Sequence, residues 1–573
     1  MLIHFSRKMS GAASCVLCLI SVASTASETP HVPRMLIAQP LSHTPVAYNA
    51  LLSTARDPGD DDTAISLNPA LSALCQSQIG QLNIYRSSRP NVDEINHDGV
   101  VLAGSQTGCS SAQNETTIAV NPFDSQNLVS GTNDYRLFNS RERRNDGSGL
   151  AYTTLDGGRT WTDVQLPHLN YQTGATGALS DMDSAGDPAI AFGRGNSVYY
   201  ANLVFSRLNG ASGVVVSTSH DGGLSWGDPS IVHLDGVDSS GNPLATGVFN
   251  DKEWIAVDTH SGTVYVTWTQ FLIDGTSPVV AASSTDGGNT WSAPVQINPV
   301  SGFTSGGITP YSSGTIPQIG RHGELYVAYE SAVCVSLLCD QATDHDAIVM
   351  ATSKDGGKSF VNQEVAVNYD FPVNNDVGRE TLTGENFRIN SFPQFAVDPS
   401  TGGLFVTWAD DRNGAYDGKG NSIKTNGDVF IVSSLDGRHW SAPTKVSSSA
   451  DEVFPAIAAN RGQVAVSFYT RAYYASGINL DMAYVSVEAE NISEIGGARL
   501  HRLTRESENP QIQFVGIGAV TGKTLQGVFI GDYTAVALGS DGVLHPSWTD
   551  FRGLPGVTSP NQDAYTQAIE LDN

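Results

Sequence analysis

One short motif recurs along this chain at a domain-building period, and it limits the architectures open to it. The copy Ser284-Thr-Asp-Gly-Gly-Asn-Thr-Trp291 is preceded by Thr154-Leu-Asp-Gly-Gly-Arg-Thr-Trp161 and Ser219-His-Asp-Gly-Gly-Leu-Ser-Trp226. It is followed by Ser353-Lys-Asp-Gly-Gly-Lys-Ser-Phe360 and a shorter copy, Ser434-Leu-Asp-Gly-Arg-His-Trp440. Each copy stands between two short apolar, β-branched runs, so each reads as the turn of a β-hairpin, with Asp-Gly-Gly supplying the positive φ values that a tight turn needs. The aspartate accepts hydrogen bonds from the turn's own amides, and the aromatic folds back onto the sheet. On this reading the motif builds the fold and does no chemistry.

Around these turns a four-strand pattern repeats. An apolar strand a is found at Thr117–Val120, Ala189–Phe192, Ile255–Val257, Ile316–Ile319, Phe395–Val397, Ala456–Ala459 and Tyr533–Ala537, which makes seven units. A strand b follows each, with Trp268, Trp408, Trp548, Tyr329 and Phe468 in equivalent places, expected to pack between neighbouring sheets. Strand c runs into the turn and strand d leaves it. The last unit has a strand c at Asp563–Ile569 and no room for a strand d. Radial repetition that closes on itself removes both exposed sheet edges, so Val100–Ala103 or Leu82–Tyr85 is expected to supply the missing edge. The predicted fold class is all-β, a β-propeller with seven four-stranded blades, six being the alternative count.

Three segments are expected: a signal peptide over 1–26, an N-terminal extension over 27–110 and the propeller over 111–573. Arg7 and Lys8, the apolar run from Gly11 to Ala23 and the small residues after it read as a secretory leader. No later stretch has the uninterrupted apolar length of a membrane span. Beyond the leader four cysteines remain, Cys75, Cys109, Cys334 and Cys339, an even number in an oxidising compartment. Three pairings are open. Cys334 and Cys339 are close enough to staple one loop, which would leave Cys75 and Cys109 to pin the extension. The net charge of −27 argues against nucleic acid or an anionic membrane as partner, because both need basic patches. The expected product is a secreted monomer that needs no cofactor.

The motif Ser/Thr-x-Asp-Gly-Gly-x-Thr/Ser-Trp/Phe resembles the Asp-box, or bacterial neuraminidase repeat, of the sialidase superfamily, and the resemblance runs from Asn114 to Leu571. The chain is similar to bacterial secreted exo-α-sialidase-like proteins. That resemblance implies that the motif turns lie on the face away from the active site, leaving the b–c and d–a connections as the working face.

Two recurrences fall there. A carboxylate precedes strand a at Glu115, Asp187, Asp251, Glu253, Glu452 and Asp532. Like charges gathered at one mouth of the channel raise one another's pKa or hold a cation, and calcium suits such an oxygen-rich site, with Glu115 and Asp532 as its candidate ligands. After strand b comes Asp-x-Arg, as Asp134-Tyr-Arg136, Asp410-Asp-Arg412 and Asp550-Phe-Arg552, with Arg471 nearby in its own unit. Residues two apart share a face of a strand, so each aspartate is placed to hold its arginine. The longest b–c connection, from Asp410 to Asp428, is a candidate rim loop.

The resemblance implies a sialidase-like, exo-acting glycoside hydrolase with an arginine clamp, a tyrosine nucleophile beside a glutamate, and an aspartate that carries the proton. By placement Arg412, Arg471, Arg552 and Arg136 are the substrate-binding candidates, Tyr533 or Tyr469 the nucleophile, Glu253 its partner, and Asp187 or Asp251 the proton carrier. The family's Arg-Ile-Pro signature is absent, and Arg388-Ile389-Asn390 is its nearest echo. The alternatives are a non-catalytic propeller that binds polysaccharide or protein, and a polysaccharide lyase.

Overall fold

Each of the seven apolar runs opens a four-stranded antiparallel sheet, and the seven sheets form a β-propeller. The computed structural model describes residues 91–95 and 112–571, apart from 140, 142–143, 300, 303–306, 338, 340–342, 375–378, 386, 418–421, 448–449, 475–476, 511–513, 516–527 and 553–561. Strand a is Gln113–Asn121 in blade 1, Ser184–Phe192 in blade 2, Val248–Val257 in blade 3 and Ser312–Ile319 in blade 4. It is Gln394–Val397 in blade 5, Glu452–Asn460 in blade 6 and Ala535–Leu538 in blade 7. Successive a strands pack side by side, and that of blade 7 lies beside that of blade 1, so the ring closes.

The last blade borrows its outer edge. Its strand b, Val543–Asp550, pairs with a strand c broken into Asp563–Thr566 and Ile569–Glu570. Val92–Asp93 then pairs with Thr566 and Tyr565. The closing strand thus comes from upstream of blade 1, as the edge argument requires, at Val92–Asp93; the two proposed segments, 82–85 and 100–103, lie outside the described residues, as do the leader, Cys75 and Cys109. Cys334 and Cys339 form a disulfide. Among the described residues, no helix is long and apolar enough to cross a membrane.

The repeated turns hold the ring together as well as each hairpin. In the copy at Asp286, Oδ1 accepts the amides of Asn289 and Thr290, and Oδ2 accepts the Thr290 hydroxyl. Each turn then packs on the blade before it. Gly223 of blade 2 adopts φ +96°, and its carbonyl accepts the Thr153 hydroxyl of blade 1 at 2.8 Å. A Cβ there would stand 2.5 Å from Val129 of blade 1, so only glycine fits. Between blades, Trp268, Trp408 and Trp548 are completely buried, as the pattern of aromatic residues predicts.

Strand a departs from the sequence reading in one respect: in most blades it starts several residues earlier, and a β-bulge sits where the charged residues were read as lying outside it. The ladder shifts between Asn114 and Thr117, Gly186 and Ala189, Asp251 and Trp254, Ser313 and Ile316, and Val453 and Ala456. The bulged residue has a left-handed φ in all five: Glu115, Asp187, Lys252, Gly314 and Phe454. A bulge re-aims a side chain. Counted by register from strand b, the matching residues of blades 5 and 7 are Phe392 and Tyr533.

Candidate active site at one mouth of the channel

The a strands of all seven blades line a central cavity of about 2070 Å³, including space open to solvent, toward the face that carries the repeated turns. At the opposite mouth the bulge residues meet. Here a second pocket, of about 440 Å³ including space open to solvent, is walled by Trp254, Ile316, Phe392, Phe454 and Tyr533, with Lys252, Glu253 and Asp532 among its polar members. One side of this mouth is aromatic and the other charged, because blades 1 to 3 place Glu115, Asp187 and Lys252 at the bulge position.

The charged side is organised by a lysine. Lys252 Nζ lies 2.7 Å from Asp532 Oδ2, 2.9 Å from Asp187 Oδ2 and 3.6 Å from Glu115 Oε1. Arg388, from the connection between blades 4 and 5, donates to both oxygens of Asp532 at 2.9 Å. Asn133 Nδ2 donates to Glu115, and Asn133 Oδ1 accepts the Asp187 amide. The recurring carboxylates Glu115, Asp187 and Asp532 therefore do converge, as expected. An ammonium of the chain itself stands among them, so a calcium ion held by Glu115 and Asp532 would have to displace Lys252.

Burial and charge divide these acids into two kinds. Burial alone would raise Asp187, but the Lys252 ammonium and the contact with Glu115 override it and hold its pKa below the usual range. Asp532 is likewise held low, against its burial, by Arg388 and Lys252. Glu115 and Glu253 go the other way: burial pushes both well up, and the negative charge of Asp187 pushes them further. Glu253 is 1% exposed, and neither of its carboxyl oxygens has a hydrogen-bond partner. Burial thus favours the neutral form of this carboxyl, which lies on the pocket wall one residue from the bulge.

Tyr533 joins this mouth too. Its hydroxyl donates to the Pro188 carbonyl at 3.3 Å, and its ring meets Trp254 edge to face. A nucleophilic phenolate needs a neighbour that lowers the cost of ionisation. Burial, followed by the acids Glu115, Asp187 and Glu253, instead pushes the Tyr533 phenol well up. Tyr469 is buried elsewhere, donating to the Thr549 carbonyl. Asp251 is buried beside the mouth and accepts the Lys252 amide.

The four arginines expected as a clamp are each engaged by acids of the chain. Arg136 pairs with Asp134 and Asp163, Arg412 with Asp410, and Arg552 with Asp550. Arg471 joins Asp451 to Glu385. Asp410 and Asp550 also accept the indole N–H of Trp408 and Trp548, and Arg412 and Arg552 each lie 4.0 Å over an aromatic ring, of Phe430 and Tyr565. Asp-x-Arg here is a packing device that ties a strand end to its neighbours. The connection from Asp410 to Asp428 carries a small ribbon, Ala415–Tyr416 with Ser422–Lys424.

Sequence reasoning missed Lys252 and Arg388 as members of the mouth. The signal for Lys252 was its place in the repeat, where blades 1 and 2 carry acids. Arg388 lies in a connection that no other unit repeats.

No protein-family profile matches the sequence, and no curated protein matches it. Solved structures with similarity to the chain include the intramolecular trans-sialidase from Ruminococcus gnavus, at 11% identity and TM-score 0.42, over 69% of this chain and 96% of that one. The GH93 α-L-arabinofuranosidase of Fusarium graminearum matches at 13% identity and TM-score 0.40, over 67% and 96%. A PL25 ulvan lyase matches at 9% identity and TM-score 0.41, over 79% and 93%. The three activities differ, and likeness of this extent assigns none of them to this chain.

Proposed function

We propose that the protein is a glycoside hydrolase that admits the end of a glycan chain into the mouth lined by Trp254, Phe392, Phe454 and Tyr533. The observation that carries this reading is Glu253, a buried carboxyl on the pocket wall with both oxygens lacking a hydrogen-bond partner. A carboxyl kept neutral by burial is the form a proton donor to a leaving sugar oxygen requires. Asp187, held ionised by Lys252, is the complementary group, either activating water or stabilising positive charge at the anomeric carbon. Two neighbouring acids whose surroundings push them apart in this way match the pattern of an acid and base pair. The aromatic walls suit the C–H faces of a sugar ring, and their place at one mouth of the channel suits a chain end. Tyr533 serves as wall and support in this scheme. The Cys334–Cys339 bond supports an oxidising, extracellular setting.

A panel of fluorogenic glycosides tests the reading. Turnover of at least one, reduced about a hundredfold to ten-thousandfold in Glu253→Gln, is expected. Turnover that survives this substitution would refute the assignment. A second reading, a propeller that binds glycans without cleaving them, is favoured by one observation: the ionised groups of the mouth are already matched internally, Lys252 and Arg388 against Asp187 and Asp532. Glycan binding without turnover would select it.

A further inference from the structure

We infer that the channel mouth selects a neutral sugar and rejects acidic ones, an inference that rests on the glycan-directed reading of the same site. Recognition of a sialic acid, a uronate or a sulfate needs a cation with charge to spare. Among the described residues, the arginines that sequence placed on the working face are each bound to carboxylates, Arg136 to two of them and Arg471 to two. Inside the mouth, Lys252 has Asp187 and Asp532 within 2.9 Å and Glu115 at 3.6 Å. The other cation there, Arg388, is bound to both oxygens of Asp532 through Nε and Nη2.

An incoming carboxylate would be a third negative charge beside two cations, Lys252 and Arg388, that Asp187 and Asp532 already match, and it would be uncompensated in a partly desolvated site. Nothing similar opposes a neutral ring. Its apolar face finds Phe392, Phe454 and Tyr533, and it brings no charge that needs a counter-ion. The chain's net charge of −27 adds a long-range bias in the same direction.

The test pairs neutral 4-methylumbelliferyl hexosides and pentosides with their uronide counterparts and a sialoside, on the full chain, with a glycan array run in parallel. Turnover is expected on a neutral member, with a preference of about ten-fold or more in kcat/KM over its matched uronide. Asp532→Asn, which leaves Arg388 and Lys252 with less opposing charge, is expected to narrow that ratio. In the unaltered chain, KM for the neutral substrate is expected to stay level as salt is raised, a measurement that does not depend on the variant folding. A uronide or the sialoside turned over as well as its neutral counterpart would overturn the inference. Should no glycoside be cleaved, the array still decides. Retention of neutral glycans keeps the selectivity and removes only the hydrolase; retention of acidic glycans alone, or of none, removes the selectivity.

Discussion

Lys252 Nζ stands 2.7 Å from Asp532 Oδ2, which ties blade 3 to blade 7, two blades that are not neighbours in the ring. Asp187 of blade 2 joins the same ammonium, so one side chain braces three blades across the mouth. Replacing it with Met leaves buried acids without their shared cation, a change that costs about 3–5 kcal/mol when a buried pair loses one partner. Lys252→Met is therefore expected to unfold at clearly lower denaturant near neutral pH. The deficit should shrink in acid: without the ammonium, burial raises Asp187 and Asp532, and acids raised in the folded state favour it at low pH. A variant as stable as the parent near neutrality would show that the brace is dispensable.

A substitution at Glu253 tests the proposed acid apart from stability. Because burial holds it neutral, the folded chain of the parent must either keep its proton or strain as pH rises. Glu253→Gln carries no ionisable group and nearly the same shape. The expected result is lost turnover with a melting temperature equal to or above the parent's under mildly alkaline conditions. The parent's kcat/KM should fall as pH rises through the raised pKa. Loss of activity together with loss of fold would mean that Glu253 only packs.

Ring closure carries its own pH signature. Glu94 follows the closing strand, accepts the Ser130 hydroxyl of blade 1, and is pushed from 4.5 to about 7 by burial, the Ser130 bond pulling the other way. Asp370 is raised to about 6 and Asp411 to about 7, burial leading in each. Raised acids contribute stability that is complete below their unfolded pKa and lost as pH rises through the folded one. For Glu94 the difference is on the order of 3 kcal/mol. Denaturant midpoints are expected to be higher in mild acid than in mild base, and Glu94→Gln should flatten that slope. A midpoint independent of pH across this window would contradict the assignment.

Two glycines in the left-handed region separate blade contact from backbone strain. Gly262 adopts φ +83° with open space where a Cβ would point, so Gly262→Ala should cost only the backbone term, about 1 kcal/mol. Gly223 has both the left-handed φ and Val129 of blade 1 against it, and Gly223→Ala should cost about 3 kcal/mol. Equal effects in chemical denaturation would mean that the repeated turns do not lock neighbouring blades.

The fold was legible because its signals are local and repeated. Seven apolar runs, five glycine turns and three tryptophans of strand b each mark a blade, and these marks agree. Strand starts were misread where charge interrupts the pattern: Glu115, Asp187 and Lys252 look like the end of a loop, yet a bulge keeps each in the ladder while turning its side chain to the mouth. Membership of the site was half legible. Recurrence drew attention to the carboxylates before strand a, three of which meet at Lys252, and equally to Arg136, Arg412 and Arg552, each of which pairs with the aspartate two residues before it. Which cation serves the mouth depends on how long side chains from distant connections meet, as Arg388 does with Asp532, and no spacing along one strand encodes that.

The bulge in strand a has a consequence for how such a chain can diversify. Five blades hold the same unusual backbone twist yet display an acid, a second acid, a base, no side chain at all and a phenyl ring. The scaffold thus tolerates nearly any chemistry at those points, and a new ligand preference needs only a few tips exchanged while every sheet stays as it is.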